Sequence, residues 1–339
     1  MTEKPINTYK ILSCYKDIKQ ILHGNIVPPR TVEFFISDIC NHNCIGCHSQ
    51  ELHKSKTPFL DFEVAKKVVD EVAIMGTEGI EISGGGEPLL YPHIVELVKY
   101  INDKGMKVGM ITNGTCFKKS MYPILHNLLF LRIAFDAGTR ETYKKVHGVD
   151  HFEKLQNIIE DIITYKKEHK LNVTIGLKYL ISYANENELL EAAEIARDLG
   201  VNYIQFKPLR HSKEGIENPD KVKALIEEAK KLATNTFQVI GGVDKTYIKQ
   251  RCILNMMHPL IDASGDVFLC AFFQHRMDTH RIGNVHKQSF SDIWYSEQHR
   301  KAFLSTDFNQ CNFFDCPFHG ANELVQEAIV KDKMHMEFI

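Results

Sequence analysis

The chain has 339 residues, 44% of them hydrophobic and 25% charged, with a formal net charge of −2. That length exceeds one domain of about 150 residues and suffices for a large core, while the balanced charge excludes a binder pulled to nucleic acid or to an anionic membrane by bulk electrostatics. The composition also excludes collagen-like, disordered and disulfide-dense classes.

The N-terminal segment MTEKPINTYK lacks the basic-then-apolar pattern of a signal peptide. The longest uncharged apolar run, near Leu128–Leu131, falls far short of the ~18 residues that span a bilayer. The expectation is a cytoplasmic protein with no membrane and no nucleic-acid partner. In a reducing compartment nine Cys are poor disulfide formers, so clustered ones are expected to be metal ligands or catalytic thiols.

Residues 1–30 read as an N-terminal extension closing on Val27-Pro28-Pro29-Arg30. Strands are then expected at Val32–Ser37, Gly79–Ser83, Lys107–Thr112, Leu131–Asp136, Val173–Ile181 and Tyr203–Leu209. Amphipathic helices alternate with them. Asp61–Met75 carries Val64, Val68 and Val72 on one face, an N-cap Asp61 and a closing Gly76. Ile94–Lys104, Phe152–Lys167 and Glu186–Leu199 follow the same pattern. Six βα units in series predict parallel strands with helices outside: an α/β fold, a partial (β/α)6 barrel over residues 31–210. Residues 211–249 are charge-rich and read as a helical connector. Over 250–320 the apolar runs shorten and Cys, His, Asn and Phe become dense, with a hairpin turn at Gly265-Asp266. This segment reads as a small domain built around ligands, followed by a tail over 321–339.

Three segments carry chemistry on the barrel. Cys40-x3-Cys44-x2-Cys47 directly follows the first strand. Thiolates are soft ligands that suit zinc or an iron–sulfur cluster, and His42 or His48 could complete a zinc site. Ser83-Gly84-Gly85-Gly86-Glu87-Pro88 falls where the second strand ends, on the rim where parallel barrels bind ligands. Its glycines let a ligand's ammonium approach backbone carbonyls, and Glu87 can add a charge-assisted contact or order the turn. Thr112-Asn113-Gly114 stands on the same rim after the third strand.

Together, these three segments on successive βα units resemble the radical S-adenosylmethionine superfamily over roughly residues 31–209. The resemblance implies that Cys40, Cys44 and Cys47 bind a [4Fe–4S] cluster whose open iron chelates S-adenosylmethionine. It places Ser83, Gly84, Gly85, Gly86 and Glu87 by the methionyl amine, and Asn113 and Asp136 by the ribose or the substrate. Lys178 on the fifth strand could pair with the methionyl carboxylate, although a lone strand Lys is more often a solvated or rim residue. Two positions depart from the family pattern. Gly46 stands where an aromatic residue usually precedes the third Cys, and Ala134 where a Ser often precedes the strand-four Asp.

A second set, Cys252, Cys270, Cys311 and Cys316, is accompanied by Gly265-Asp266-Val267-Phe268-Leu269, Ile282-Gly283-Asn284-Val285 and Phe290-Ser291-Asp292-Ile293-Trp294. This order resembles the auxiliary-cluster domain called SPASM, with Leu269 where Pro is usual. The full domain carries about seven Cys for two clusters. Four match its one-cluster version, Twitch, and imply an auxiliary [4Fe–4S] cluster; a structural zinc site is the bland alternative. Phe318, His319 and Asn322 could stand behind that cluster. His275, His280 and His286 could hold polar substrate groups, although solvated histidines are commoner. Cys14 reads as a small buried hydrophobe. Cys116, two residues beyond Gly114, could donate a hydrogen atom to a substrate radical.

The activity implied by the resemblance begins with reductive cleavage of S-adenosylmethionine, electrons coming from a donor such as flavodoxin or ferredoxin. The resulting 5′-deoxyadenosyl radical abstracts hydrogen from an unactivated substrate carbon. A saturated second cluster favours two-electron oxidation; epimerisation with a thiol donor is the alternative. The substrate is expected to be a small polar molecule of sugar, aminocyclitol or nucleotide type. A peptide substrate is the competing class, disfavoured because only about 30 residues precede the first strand, few for a leader-binding module. A zinc-binding interaction protein without catalysis would leave Gly84–Glu87 and Thr112–Gly114 unexplained.

Overall fold

The computed structural model describes residues 8–55, 57–209, 215–243, 251–271, 276–311, 316 and 318–331. Seven strands, β1 (Thr31–Phe35), β2 (Gly79–Ser83), β3 (Lys107–Thr112), β4 (Leu128–Ala134), β5 (Thr174–Ile181), β6 (Tyr203–Pro208) and β7 (Gln238–Gly241), pair in parallel in sequence order. Three short strands extend the sheet beyond β1. Strand β8 (Leu260–Ile261) pairs with β1 in parallel, and β9 (Asp266–Phe268) and β10 (Arg281–Asn284) follow antiparallel. The order β10-β9-β8-β1-β2-β3-β4-β5-β6-β7 leaves an open barrel.

Helices α1 (Tyr15–Leu22), α2 (Phe62–Met75), α3 (Ile94–Asp103), α4 (Arg140–His147), α5 (Phe152–Glu168), α6 (Leu189–Asp198) and α7 (Pro219–Lys230) precede or alternate with the parallel strands. Those from α2 onward show why the sequence forms βα units. In α2 the Asp61 carboxylate accepts from the Val64 N–H at 3.0 Å, Gly76 closes the helix at φ +91°, and Ala65, Val68, Val69 and Val72 are buried. Alternate strand residues (Phe34, Ile82, Met110, Ile133, Leu177 and Phe206 among them) join those helix faces in one core cluster. The residues between them on the strands face the other way, and several are polar: Glu33, Glu81, Ser83, Arg132 and Gln205. Two bonds link this inner face, Ser83 Oγ donating to Glu33 Oε1 at 2.6 Å and Arg132 Nε donating to Tyr203 OH at 3.0 Å. The barrel is therefore apolar outward and polar inward.

The C-terminal segment adds α8 (Met277–His280), α9 (Phe290–Trp294), α10 (Glu297–Ser305) and α11 (His319–Val325). The expected turn is present. Asp262 Oδ1 accepts from the N–H groups of Ser264 and Asp266, and Gly265 takes φ +79° between β8 and β9. Trp294, wholly buried, donates from Nε1 to the Val27 carbonyl at 2.7 Å and ties this segment to the chain just before β1.

Three features differ from the sequence reading. Helix α4 was not expected, because its only buried residues are Tyr143, Val146 and His147 among charged neighbours. Residues 238–241, read as part of a helical connector, form β7 against β6; all four are half-buried, so no in–out alternation marks them as a strand. The ligand-rich segment supplies strands to the barrel sheet: Leu260 and Ile261 pair with Glu33 and Phe34, covering the open edge of β1. Residues 211–214 and 244–249 of the expected connector and 332–339 of the expected tail lie outside the described residues. Among the described residues, no helix is long and apolar enough to cross a membrane.

Candidate functional site

The loop after β1 carries Cys40, Cys44 and Cys47, and two neighbouring loops clamp it. On one side the Gly86 N–H donates to the Ser37 carbonyl and the Glu87 N–H to the Ile39 carbonyl, both at 2.7 Å. This contact is backbone on backbone. A Cβ on Gly86 would strike the Ile39 carbonyl oxygen, and one on Gly85 would lie 2.7 Å from Asp38 Oδ1. On Gly84 a Cβ would collide with the Gly86 carbonyl oxygen. Gly85 and Gly86 thus allow the β1 and β2 loops to close on each other, and Gly84 allows the β2 loop to fold back on itself.

Glu87 is buried and accepts three hydrogen bonds. Leu89 N–H and Thr112 Oγ1 donate to Oε1 at 2.9 and 2.5 Å, and Asn113 N–H donates to Oε2 at 2.7 Å. Burial raises its carboxyl pKa against the opposing pull of these bonds. Of the two roles expected for Glu87, ordering the turn is visible: its carboxylate pins Thr112-Asn113-Gly114 to the glycine loop. Asn113 carries the link onward. Its Nδ2 donates to Asn41 Oδ1 at 2.8 Å and approaches Cys40 Sγ at 3.9 Å, while Asn41 Nδ2 donates to Thr115 Oγ1 at 2.8 Å. Cys116 follows, half-buried, its thiol raised by burial.

On the other side, the C-terminal end of α4 grips the cysteine loop. The Asn43 and Ile45 N–H groups donate to the carbonyls of His147 and Val146 at 3.0 Å. His147 Nδ1 lies 3.2 Å from Cys44 Sγ, and its Nε2 lies 3.3 Å from the Phe135 carbonyl and 3.6 Å from Asp136 Oδ2. Asp136 lies two residues past the end of β4, at φ +51°. Its Oδ1 accepts from the Leu180 N–H and its carbonyl accepts from Asn185 Nδ2 at 2.8 Å, while burial raises its carboxyl pKa against the opposing charges of His147 and Lys178. His42 sits among His147, His151 and Tyr143; its Nε2 is 3.3 Å from Thr115 Oγ1 and its buried Nδ1 has no partner among the described residues. A nitrogen of His42 and one of His147 fall within 4.8 Å of each other and of the Cys44 sulfur. His48 is not in that group.

All three loop thiols are pushed up by burial: Cys40 to about 11, Cys44 further, and Cys47 in the same direction. Neighbouring charges add to this, Glu87 and then Cys47 for Cys40, and Asp136, Cys47 and Cys40 for Cys44. Thiols of this kind, three of them on the one loop clamped between the glycine segment and α4, lose their protons when they bind a metal centre. They fit a thiolate-bound cluster.

The second cysteine set meets the same test. Cys252, Cys270, Cys311 and Cys316 line one cavity, and the Cys252 thiol is raised by burial and then by the charges of Cys316 and Cys270. Asn322 supports the cavity by accepting from the Ile253 N–H at 2.9 Å, and His280 and His319 line it. His286 is exposed, and His275 lies outside the described residues. Sequence reasoning missed Asn41, His147 and Arg276. Asn41 lies within the Cys loop, whereas His147 is 103 residues from Cys44 and Arg276 is 35 from Cys311, spacings with no local signature.

The model of the radical SAM superfamily matches residues 34–207, just over half of the chain. The chain belongs to the radical SAM superfamily. A second model, an iron–sulfur cluster-binding domain known as SPASM, matches residues 252–317 and spans all four cysteines of the C-terminal set. A radical SAM enzyme with this domain carries S-adenosylmethionine, the cluster that binds it and an auxiliary iron–sulfur cluster. Among curated relatives, a probable GTP 3′,8-cyclase of Saccharolobus islandicus is 26% identical over 211 residues, covering 61% of this chain and 66% of that protein. The match thus spans just under two thirds of the relative's length. A tungsten-containing aldehyde ferredoxin oxidoreductase cofactor-modifying protein of Pyrococcus furiosus is 22% identical over 320 residues, covering 86% of this chain and 88% of that protein. Among solved structures, Streptococcus suis SuiB bound to the precursor peptide SuiA shares the fold with a TM-score of 0.68 at 14% identity. It covers 90% of this chain and 74% of SuiB.

Proposed function

We propose that this radical SAM enzyme is an oxidoreductase that removes two electrons from a small polar substrate of sugar, aminocyclitol or nucleotide type. Convergence of four cysteines on one cavity carries the reading, because four thiolates saturate a cube and leave no iron for substrate. When bound, the first cluster with S-adenosylmethionine supplies a 5′-deoxyadenosyl radical, and the second supplies an electron acceptor. Cys40, Cys44 and Cys47 hold the first; Cys252, Cys270, Cys311 and Cys316 hold the second. The Ser83–Glu87 edge takes the methionyl amine, and Lys178 takes the carboxylate. Asn113 and Asp136, just beyond the ends of β3 and β4, orient the ribose or the substrate. The polar inner face supports a polar substrate: Gln205 is buried there with no partner among the described residues for Oε1, an acceptor that a substrate donor would satisfy. Flavodoxin or ferredoxin delivers the reducing electron.

Epimerisation is a second reading, favoured by one observation. The Cys116 thiol stands half-buried directly after the Asn113–Thr115 segment, which is hydrogen-bonded to the cysteine loop through Asn41. Turnover in deuterated water separates the two, using a substrate found by screening sugars, aminocyclitols and nucleotides. Oxidation leaves the reacting carbon free of solvent deuterium, and Cys116→Ala stays active. Epimerisation installs one deuterium there, and Cys116→Ala stalls after forming 5′-deoxyadenosine. Turnover of a peptide and of none of the small molecules would overturn the substrate class.

A further inference from the structure

Arg276 immediately precedes α8 and reaches into the cavity of the four C-terminal cysteines. Its Nη1 lies 3.5 Å from Cys311 Sγ and 3.4 Å from His280 Nε2, so the two hydrogens of one amino group meet a sulfur and a ring nitrogen. The other nitrogen of His280 is 2.9 Å from Thr279 Oγ1. His280 is buried one helical turn along the chain from Arg276, which holds the guanidinium from behind. Among the described residues that line the cavity, Arg276 is the only Arg or Lys. A guanidinium keeps its charge throughout the working pH range.

We infer that Arg276 sets the redox poise of the auxiliary cluster by donating an N–H···S hydrogen bond to the ligand sulfur of Cys311. This rests on the proposal that the four cysteines hold that cluster. An electron added to a thiolate-ligated cluster increases negative charge on the ligand sulfurs. A cationic donor at one of those sulfurs therefore stabilises the reduced form and raises the potential. Arg276 thus makes this cluster a better electron acceptor, in keeping with the proposed two-electron oxidation of the substrate. It is a positioning and tuning residue that acts through the Cys311 sulfur. His280 and Thr279 fix the direction of its fork.

The test is a redox titration followed by electron paramagnetic resonance on the full chain carrying Cys40→Ala, Cys44→Ala and Cys47→Ala, in which only the auxiliary cluster remains. Adding Arg276→Gln should shift the reduction equilibrium about tenfold toward the oxidised form, a midpoint about 59 mV lower for a one-electron couple. Arg276→Lys, which keeps the charge without the fork, should fall between. His280→Ala should shift the midpoint in the same direction by less. An unchanged midpoint in Arg276→Gln with its iron intact would overturn the inference. If Arg276→Gln loses its iron, unchanged midpoints in both Arg276→Lys and His280→Ala overturn it. A parent chain with no iron refutes the ligand assignment itself, a result distinct from any shift in midpoint.

Discussion

Replacing Cys44 with Ala should abolish reductive cleavage of S-adenosylmethionine. Incubated anaerobically with dithionite and no other substrate, the reconstituted wild-type chain should slowly release 5′-deoxyadenosine and methionine, and the variant neither. Cys44 is the most constrained of the three loop thiols. It is flanked by Cys40 and Cys47, backed by His147 at 3.2 Å, and set in a loop whose Asn43 and Ile45 N–H groups are bound to α4. Two thiolates cannot hold three irons of a cube, so the loss is expected to be complete rather than graded. Product formation by Cys44→Ala at more than a few per cent of the wild-type rate would remove Cys44 from the ligand set.

Glu87→Ala should be costly in a different way, through folding. The carboxylate accepts from Leu89 N–H, Thr112 Oγ1 and Asn113 N–H in a fully buried position. Removing it strands three donors, each worth about 1–3 kcal/mol when left unsatisfied, so urea unfolding should report a loss of roughly 3 kcal/mol or more. Glu87→Gln keeps one acceptor but turns an NH2 toward one of those donors, so it should lose about 1–3 kcal/mol. Equal unfolding midpoints for Glu87→Ala and wild type would show that the β2 and β3 loops do not depend on this carboxylate.

Much of this arrangement was legible from residue order because it is built from local rules. Asp61 and Gly76 mark the ends of α2 by capping chemistry, and the alternation along β1 to β6 separates helix-facing from inward-facing side chains. The cysteine spacings and the glycine loop likewise depend on neighbours in the chain. What was not legible depends on distant partners. Helix α4 has a Thr139 cap and a Gly148 at φ +68°, both visible in sequence, but too few apolar residues between them to reveal its buried face. Its consequence, His147 against Cys44, exists only because β4 and the loop after β1 end on the same rim. Strand β8 is two residues long and becomes a strand only by pairing with β1. Gly85 and Gly86 also make room for the Cys loop itself, a contact that no pattern within the glycine segment encodes.

The central claim is that this chain holds two separate thiolate-ligated clusters, and metal analysis tests it most directly. Anaerobic reconstitution should give about eight irons and eight sulfides per chain, with about four of each retained when Cys40, Cys44 and Cys47 are all replaced by Ala. Stoichiometric zinc without sulfide in anaerobically isolated protein would contradict the account.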